Sequence, residues 1–351
     1  METTTSSPNA VASPHPQRRR NRWLLWIGRI LLGLLALIVL LAGSGAAYEA
    51  IMAPGDARRY PPPGQLVDVG GHRLHLHCVG QGSPTVVLDA GLGEFSLAWG
   101  AVQPQAATST RVCAYDRAGL GWSEPGPSQR SPQQFAAELH MLLTKSGERG
   151  PYVLVAHSIS GKTARLFASQ HPNEVAGMVL VDARHEAVDE RLTLEQLTAE
   201  DDQQRQFQNM IKWMARFGLV RLLWAPAWPS VQPGSENLSP ETRTAIGVLQ
   251  ARPRQIENAL AEGAARTDSN SLLRSAAPLG DKPLIVLASA QSIDHLPFWE
   301  EAQQVMTGLS SNSRLIVAPS GHAVHFEQPG LVVQSIHQVV DAARTGQPLQ
   351  P

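Results

Sequence analysis

Val153-Leu154-Val155-Ala156-His157-Ser158-Ile159-Ser160-Gly161 passes from β-branched and apolar residues into small residues around a serine. Lys162-Thr163-Ala164-Arg165-Leu166-Phe167-Ala168 then continues at helical spacing. The pattern reads as buried strand, sharp turn and helix, the setting in which a serine is held on a strained turn with its hydroxyl exposed at the top of a sheet. Such a turn needs almost no side chain two residues before and two after the serine, because those Cβ atoms otherwise collide as the strand reverses. A G-x-S-x-G pattern supplies glycine at both places. Here they are Ala156 and Ser160, small but not glycine, so the reading competes with an ordinary turn whose serine caps the next helix.

The 351 residues suit one large α/β domain with an insertion, or two modest domains. A formal net charge of −1 leaves no excess of Lys and Arg to neutralise phosphates, so no nucleic-acid partner is expected. Cys78 and Cys113 are too few for a disulfide scaffold or a zinc cluster. His75 and His77 alternate with Leu74, Leu76 and Cys78. With no further ligand at suitable spacing they belong to a solvated strand face. No cofactor and no metal is expected.

Residues 1–22, rich in Ser, Thr, Pro and Arg, are expected to form a disordered, basic terminus. Trp23 to Ala47 is apolar except for Arg29, which can snorkel to the interface, and from Ile30 onward it carries no charge. Its length suits a membrane span. The alternative is a cleaved signal peptide with Ile30–Ala42 as its apolar core and Gly45 and Ala47 placed for cleavage, which would leave the protein secreted or periplasmic. Arg18, Arg19, Arg20 and Arg22 precede the segment, so the terminus is expected in the cytoplasm and the catalytic domain outside it. A linker over 48–64 closes with Tyr60-Pro61-Pro62-Pro63-Gly64.

Gln65–Val69 and Arg73–Val79, joined by Gly70-Gly71, read as a hairpin. Thr85–Leu88 is a buried strand running into Asp89-Ala90-Gly91-Leu92-Gly93-Glu94. The N–H groups of Leu92 and Ile159 are candidates for an oxyanion hole, against the plainer reading of a strand-to-helix loop. Arg111–Tyr115 ends in the tight turn Asp116 to Ser123, which Asp116 is expected to fix through backbone hydrogen bonds. An amphipathic helix at Pro132–Ser146 precedes the elbow, and Gly177–Val181 follows it, ending at Asp182. From Arg184 to Ala277 no strand pattern appears. Strands resume at Pro283–Ala288 and Arg314–Val317, and the last leads to Ser320-Gly321-His322. Strands alternating with helices predict a doubly wound α/β sheet whose sites lie at strand carboxyl ends. Ser158, Leu92, Asp294 and His322 all fall at such ends.

These pieces, in this order, resemble the α/β-hydrolase superfamily. They include the Val86–Gly93 loop, Asp116-Arg117-Ala118-Gly119-Leu120-Gly121-Trp122-Ser123, the Ser158 elbow, His171-Pro172, Met178–Asp182 and Ser320-Gly321-His322. The likeness is greatest to the cap-bearing branch of proline iminopeptidases, carboxylesterases and epoxide hydrolases. It implies an eight-stranded, mostly parallel sheet built from 65–183 and 278–345, with a helical cap at 184–277. It also implies Ser158 as nucleophile and His322 as base, with Asp294 as the acid by its place in the order Ser, acid, His. Asp182 is the alternative acid and His325 a weaker alternative base. Relatives that open epoxides carry aspartate at the elbow, so Ser158 argues for acyl transfer.

The expected function is therefore a serine hydrolase of small-molecule esters. A proline-iminopeptidase-like aminopeptidase would need cap carboxylates for a substrate ammonium, from among Glu186, Asp189, Glu190, Glu195, Asp201 and Asp202. The altered elbow keeps open a third reading, a non-catalytic envelope binding protein on the same fold. Cys78 and Cys113 fall on neighbouring strands, either as a disulfide or as two buried thiols.

Overall fold

The computed structural model describes residues 17–127, 130–191, 206–207, 209–296 and 298–349. The readings for residues 1–16 and for Glu195, Asp201 and Asp202 lie outside them. Eight strands form one sheet: β1 (Gln65–Asp68), β2 (Arg73–Val79), β3 (Thr85–Asp89), β4 (Val112–Tyr115), β5 (Tyr152–His157), β6 (Val175–Val181), β7 (Leu284–Ser289) and β8 (Ser313–Ala318). Their order is β1-β2-β4-β3-β5-β6-β7-β8. The β1/β2 and β2/β4 pairs are antiparallel and the remainder parallel. The fold is the α/β-hydrolase fold.

β3, β5 and β7 are buried at every position, as expected of parallel strands covered on both faces. Successive side chains point to opposite sides, so each strand feeds two cores. Val86, Leu88, Val153, Val155 and Ile285 meet the last helix, Pro329–Thr345, through Val332, Ile336 and Val340. Val87, Leu154, Met178 and Val286 meet Leu139, Leu142 and Phe167 on the other face. The helix Pro132–Ser146 begins where Ser131 accepts the Gln134 N–H and ends at left-handed Gly147.

Between β6 and β7 the described residues form helices, among them Glu186–Arg191, Leu219–Val231, Pro240–Gln250, Pro253–Ala264 and Asn270–Arg274. Buried ion pairs tie this cap to the sheet layer. Lys162 donates to Asp189 (2.5 Å), to the Arg266 carbonyl and to Asn270, and Arg165 pairs with Glu186.

Three local expectations change. His75 is not on a solvated face: it is fully buried, accepts the Gly64 N–H at 3.2 Å and lies 3.0 Å from Asp116. The chain entering β1 and the indole of Trp122 cover that side of the hairpin. The expected linker over 48–64 is helical as far as Arg59, and residues 17–22, expected to be disordered, are helical as well, because one helix runs from Gln17 to Arg59. It stops before the Pro61-Pro62-Pro63 run, which disfavours helix in the residues ahead of it. Its final turns are held from the cap: Arg221 donates to Glu49 at 2.7 and 2.5 Å and to Asp56 at 2.6 Å. The helix from Arg22 is long and apolar enough to cross a membrane.

Cys78 and Cys113 face each other in the β2/β4 ladder and are joined as a disulfide. Closing a loop with a sequence separation of 35 removes up to about 4 kcal/mol of unfolded-state entropy. Both thiols should resist alkylation in the unfolded, unreduced protein and react after reduction. Reduced protein should melt at a lower temperature, as read by circular dichroism.

Candidate active site

Ser158 has φ 55°, one of two non-glycine residues with positive φ among the described residues; the other is Asp182, at 40°. A left-handed serine between strand and helix costs about 1–3 kcal/mol unless its surroundings hold it. Here the Ser158 N–H donates to the Val181 carbonyl at 3.1 Å, and the Ser158 carbonyl accepts from Gly161 and Arg184. The reversal projects the hydroxyl beyond the strand ends. The altered elbow positions fit this turn. Ala156 is buried opposite Asp89 in the β3/β5 ladder, and Ser160 donates its hydroxyl to the Ala90 carbonyl at 2.5 Å. The second departure from glycine thus becomes a bond between the elbow and the loop after β3.

His322 follows β8 and places Nε2 2.9 Å from Ser158 Oγ and Nδ1 2.6 Å from Asp182 Oδ2. Asp294, the acid expected from chain order, is not brought to this group. β7 passes directly into the helix Ala290–His295, capped by Ser289, so no long loop remains to bend Asp294 back. Its side chain is exposed and makes no hydrogen bond or ion pair among the described residues. The carboxylate beside His322 comes instead from the end of β6. Asp182 also accepts from the Ser289 N–H and the Trp299 indole, each at 2.8 Å, and from the Ser292 hydroxyl at 2.6 Å. Burial works to raise its pKa. The bond to and charge of His322, with the Ser289 and Ser292 donors, outweigh burial and leave it below the usual value.

Among the described residues the Leu92 and Ile159 N–H groups donate no backbone hydrogen bond, whereas their neighbours Gly91 and Gly93 are committed to Glu94 and Glu262. Arg117 fixes this loop from beneath. It donates to Asp89, to the Ala90 and Gly91 carbonyls, to Ser160 and, bidentately, to Glu262 of the cap. The turn Asp116–Ser123 reads as structural from its sequence. Asp116 does fix its turn, by accepting from Ser96 and Trp122 N–H. The reach of Arg117 carries no local signal, because its partner Glu262 lies 145 residues away.

A second polar group sits behind His322. His157 Nδ1 is 3.1 Å from Glu94 and its Nε2 3.0 Å from the His322 carbonyl. Both partners are acceptors, an arrangement that favours a ring donating from both nitrogens. Burial opposes that charge, but Glu94 and the carbonyl raise the His157 pKa above the ordinary value. Glu94 is held well below the carboxylate range: burial works the other way, and His325 and His157 outweigh it. His325, the weaker candidate base, is pushed down to about 3 by burial. Its ring packs against that of His157 at a tilt and stands 3.6 Å from Glu94, while Ser158 Oγ faces His322. Glu94, His157 and His325 lie close enough to hold a metal ion. A His157 ring that donates to Glu94 and to the His322 carbonyl has no lone pair left for one. Gly91 permits the approach of this loop, since a Cβ there would lie 2.5 Å from His157 Nδ1.

The family model for the alpha/beta hydrolase fold matches residues 84–329, and the chain belongs to that family. Among solved structures it is similar to an esterase from Thermogutta terrifontis, with 24% identity, a TM-score of 0.59 and coverage of 80% of this chain and 98% of that one. It is also similar to the Cif epoxide hydrolase from Acinetobacter nosocomialis, with 17% identity, a TM-score of 0.66 and coverage of 84% and 96%. Among curated proteins it is 28% identical to the uncharacterized protein YbdG of Bacillus subtilis (strain 168), across 44% of this chain and 48% of that one. It is 25% identical to the probable transporter efuK of Hormonema carpetanum, across 79% and 42%. The chain spans half or less of the length of these curated relatives. Fold and family support a hydrolase.

The Glu94–His157 pair carries a pH signature. Its Glu94 contribution is present above the ordinary carboxylate pKa, about 4.3, and is lost as pH falls through the lowered value. Its His157 contribution is full below about 6.5 and is lost as pH rises through the raised value. The melting-temperature gap between wild type and Glu94→Gln should therefore be widest near pH 5–6 and narrow at pH 9. A gap independent of pH would contradict the pairing.

Proposed function

We propose that this protein is a serine hydrolase that cleaves small-molecule carboxylic esters through an acyl-enzyme on Ser158. The observation that carries the reading is the chain of contacts from Ser158 Oγ to His322 Nε2 and from His322 Nδ1 to Asp182. In this mechanism Ser158 Oγ attacks the ester carbonyl carbon as its proton passes to His322 Nε2. Asp182 keeps a proton on Nδ1 and stabilises the imidazolium. The oxyanion meets the Leu92 and Ile159 N–H groups. Collapse breaks the acyl–oxygen bond, and the alcohol leaves with the proton from His322. Water then repeats the sequence and releases the acid.

Serine at the elbow favours acyl transfer over epoxide opening. The aminopeptidase reading loses its described ammonium ligands. Glu186 is paired with Arg165, Asp189 with Lys162 and Arg184, and Glu190 with Arg274. The non-catalytic reading drew on the altered elbow, but Ala156 and Ser160 are compatible with a left-handed Ser158. We also infer that the helix Gln17–Arg59 anchors the domain to a membrane, on the side opposite its arginine-rich flank. The charge asymmetry and the Cys78–Cys113 disulfide support that placement.

A fluorophosphonate probe should label the folded chain, and Ser158→Ala should abolish labelling. No labelling of folded wild type would overturn the proposal. Asp182→Asn should lower kcat on p-nitrophenyl esters by about 10³–10⁴-fold, while Asp294→Asn leaves it unchanged. The reverse pattern would return the acid to Asp294.

A further inference from the structure

The N-terminal helix does more than tether. Between Arg29 and Glu49 it carries no charge, and at 1.5 Å per residue that interval spans about 30 Å, the thickness of bilayer hydrocarbon. Glu49 therefore marks the level at which the helix leaves the hydrocarbon. The cap is bound at this same level. Gly45 lies so near the Phe217 carbonyl that a Cβ would come within 2.3 Å of it, and Tyr48 packs at Gly218. Arg221 is buried against Glu49 and Asp56. The cap helix Leu219–Val231 is thus fastened to the helix where the boundary falls, not held off by a flexible linker.

The cap surface at this junction is strongly apolar. Trp213 is 57% exposed, Leu222 58% and Leu223 60%, and Phe207, Met210, Leu219 and Trp224 are exposed with them. A cavity of about 360 Å³ opens among Phe207, Ile211, Met214, Leu223, Trp224 and Ile256. Isolated surface leucines are ordinary, but a contiguous group of large apolar side chains marks an interaction surface. Trp213 stacks on Phe217, with Arg216 over the indole ring and Lys212 alongside in sequence. Indole rings flanked by basic residues suit the headgroup region, where an apolar body and a polar edge are both satisfied.

We propose that this cap face, centred on Trp213, Leu222, Leu223 and Trp224, is seated in the phospholipid leaflet from which the N-terminal helix emerges. The cap cavity then opens into lipid and takes up hydrocarbon chains. The inference rests on the membrane-anchor reading but not on the hydrolase reading.

Because Cys78 and Cys113 are joined, each introduced cysteine is the sole free thiol. Full-length Leu35→Cys, Leu222→Cys, Leu223→Cys and Val305→Cys would be spin-labelled and reconstituted in phosphatidylcholine vesicles. Accessibility to oxygen, which concentrates in lipid, would be compared with accessibility to an aqueous nickel chelate. Leu35 reports the span, and exposed Val305, on the helix Trp299–Thr307, is the aqueous reference. The labels at 35, 222 and 223 should give oxygen-to-nickel ratios several-fold above that at 305. A high ratio at 35 with values at 222 and 223 matching 305 would overturn cap seating and leave the anchor intact. Labels at 222 and 223 shielded from both reagents would overturn it in favour of a protein cover, such as a second copy. A low ratio at 35 would remove the anchor and the proposal with it.

Discussion

The left-handed backbone of Ser158 is the constraint on which the site depends. At φ 55° the chain reverses between β5 and the following helix, and the serine hydroxyl comes to stand 2.9 Å from an imidazole delivered 164 residues later. The Val181 carbonyl holds this conformation from one side and the Gly161 and Arg184 amides from the other. An extended Ser158 would turn the hydroxyl away from the strand ends, and His322 would have nothing to activate.

Around that turn, polar contacts join loops that share no sequence proximity. Ser160 and Arg117 link the elbow to the loop after β3, and Glu262 brings in the cap. Glu94 and His157 link the same loop to the carbonyl of His322. Taking one partner from a buried charged group leaves the other uncompensated, at a cost of about 3–5 kcal/mol. These groups therefore fix relative loop positions more rigidly than apolar packing alone. The same logic governs Arg221, which binds Glu49 and Asp56 and makes the N-terminal helix part of the folded domain.

Much of the fold was legible because it is local. The runs at β3, β5, β6 and β7 are apolar, bounded by turn residues and long enough to be recognised alone, and Pro132–Ser146 carries its own start and stop. The elbow was legible for the same reason. The acid was not, because Asp182 and Asp294 both lie beyond strand ends. The choice rests on whether β7 gives way to a loop or, through the Ser289 cap, to a helix. Alternation misplaced His75 because it cannot foresee that the chain before β1 folds back over the hairpin. The apolar run ends at Ala47, so a linker was expected from residue 48, well before the helix ends. What extends it to Arg59 is Arg221, more than 150 residues further on. Signals that depend on such partners are absent from any local window.

The account turns on a covalent bond forming at one oxygen. Rapid-quench mass spectrometry of the purified chain mixed with p-nitrophenyl acetate would test it most directly. The account predicts a burst of p-nitrophenol matched by one acetyl group per chain, carried on the peptide that contains Ser158. Steady ester turnover with no acyl adduct, or an acetyl group carried elsewhere, would contradict it.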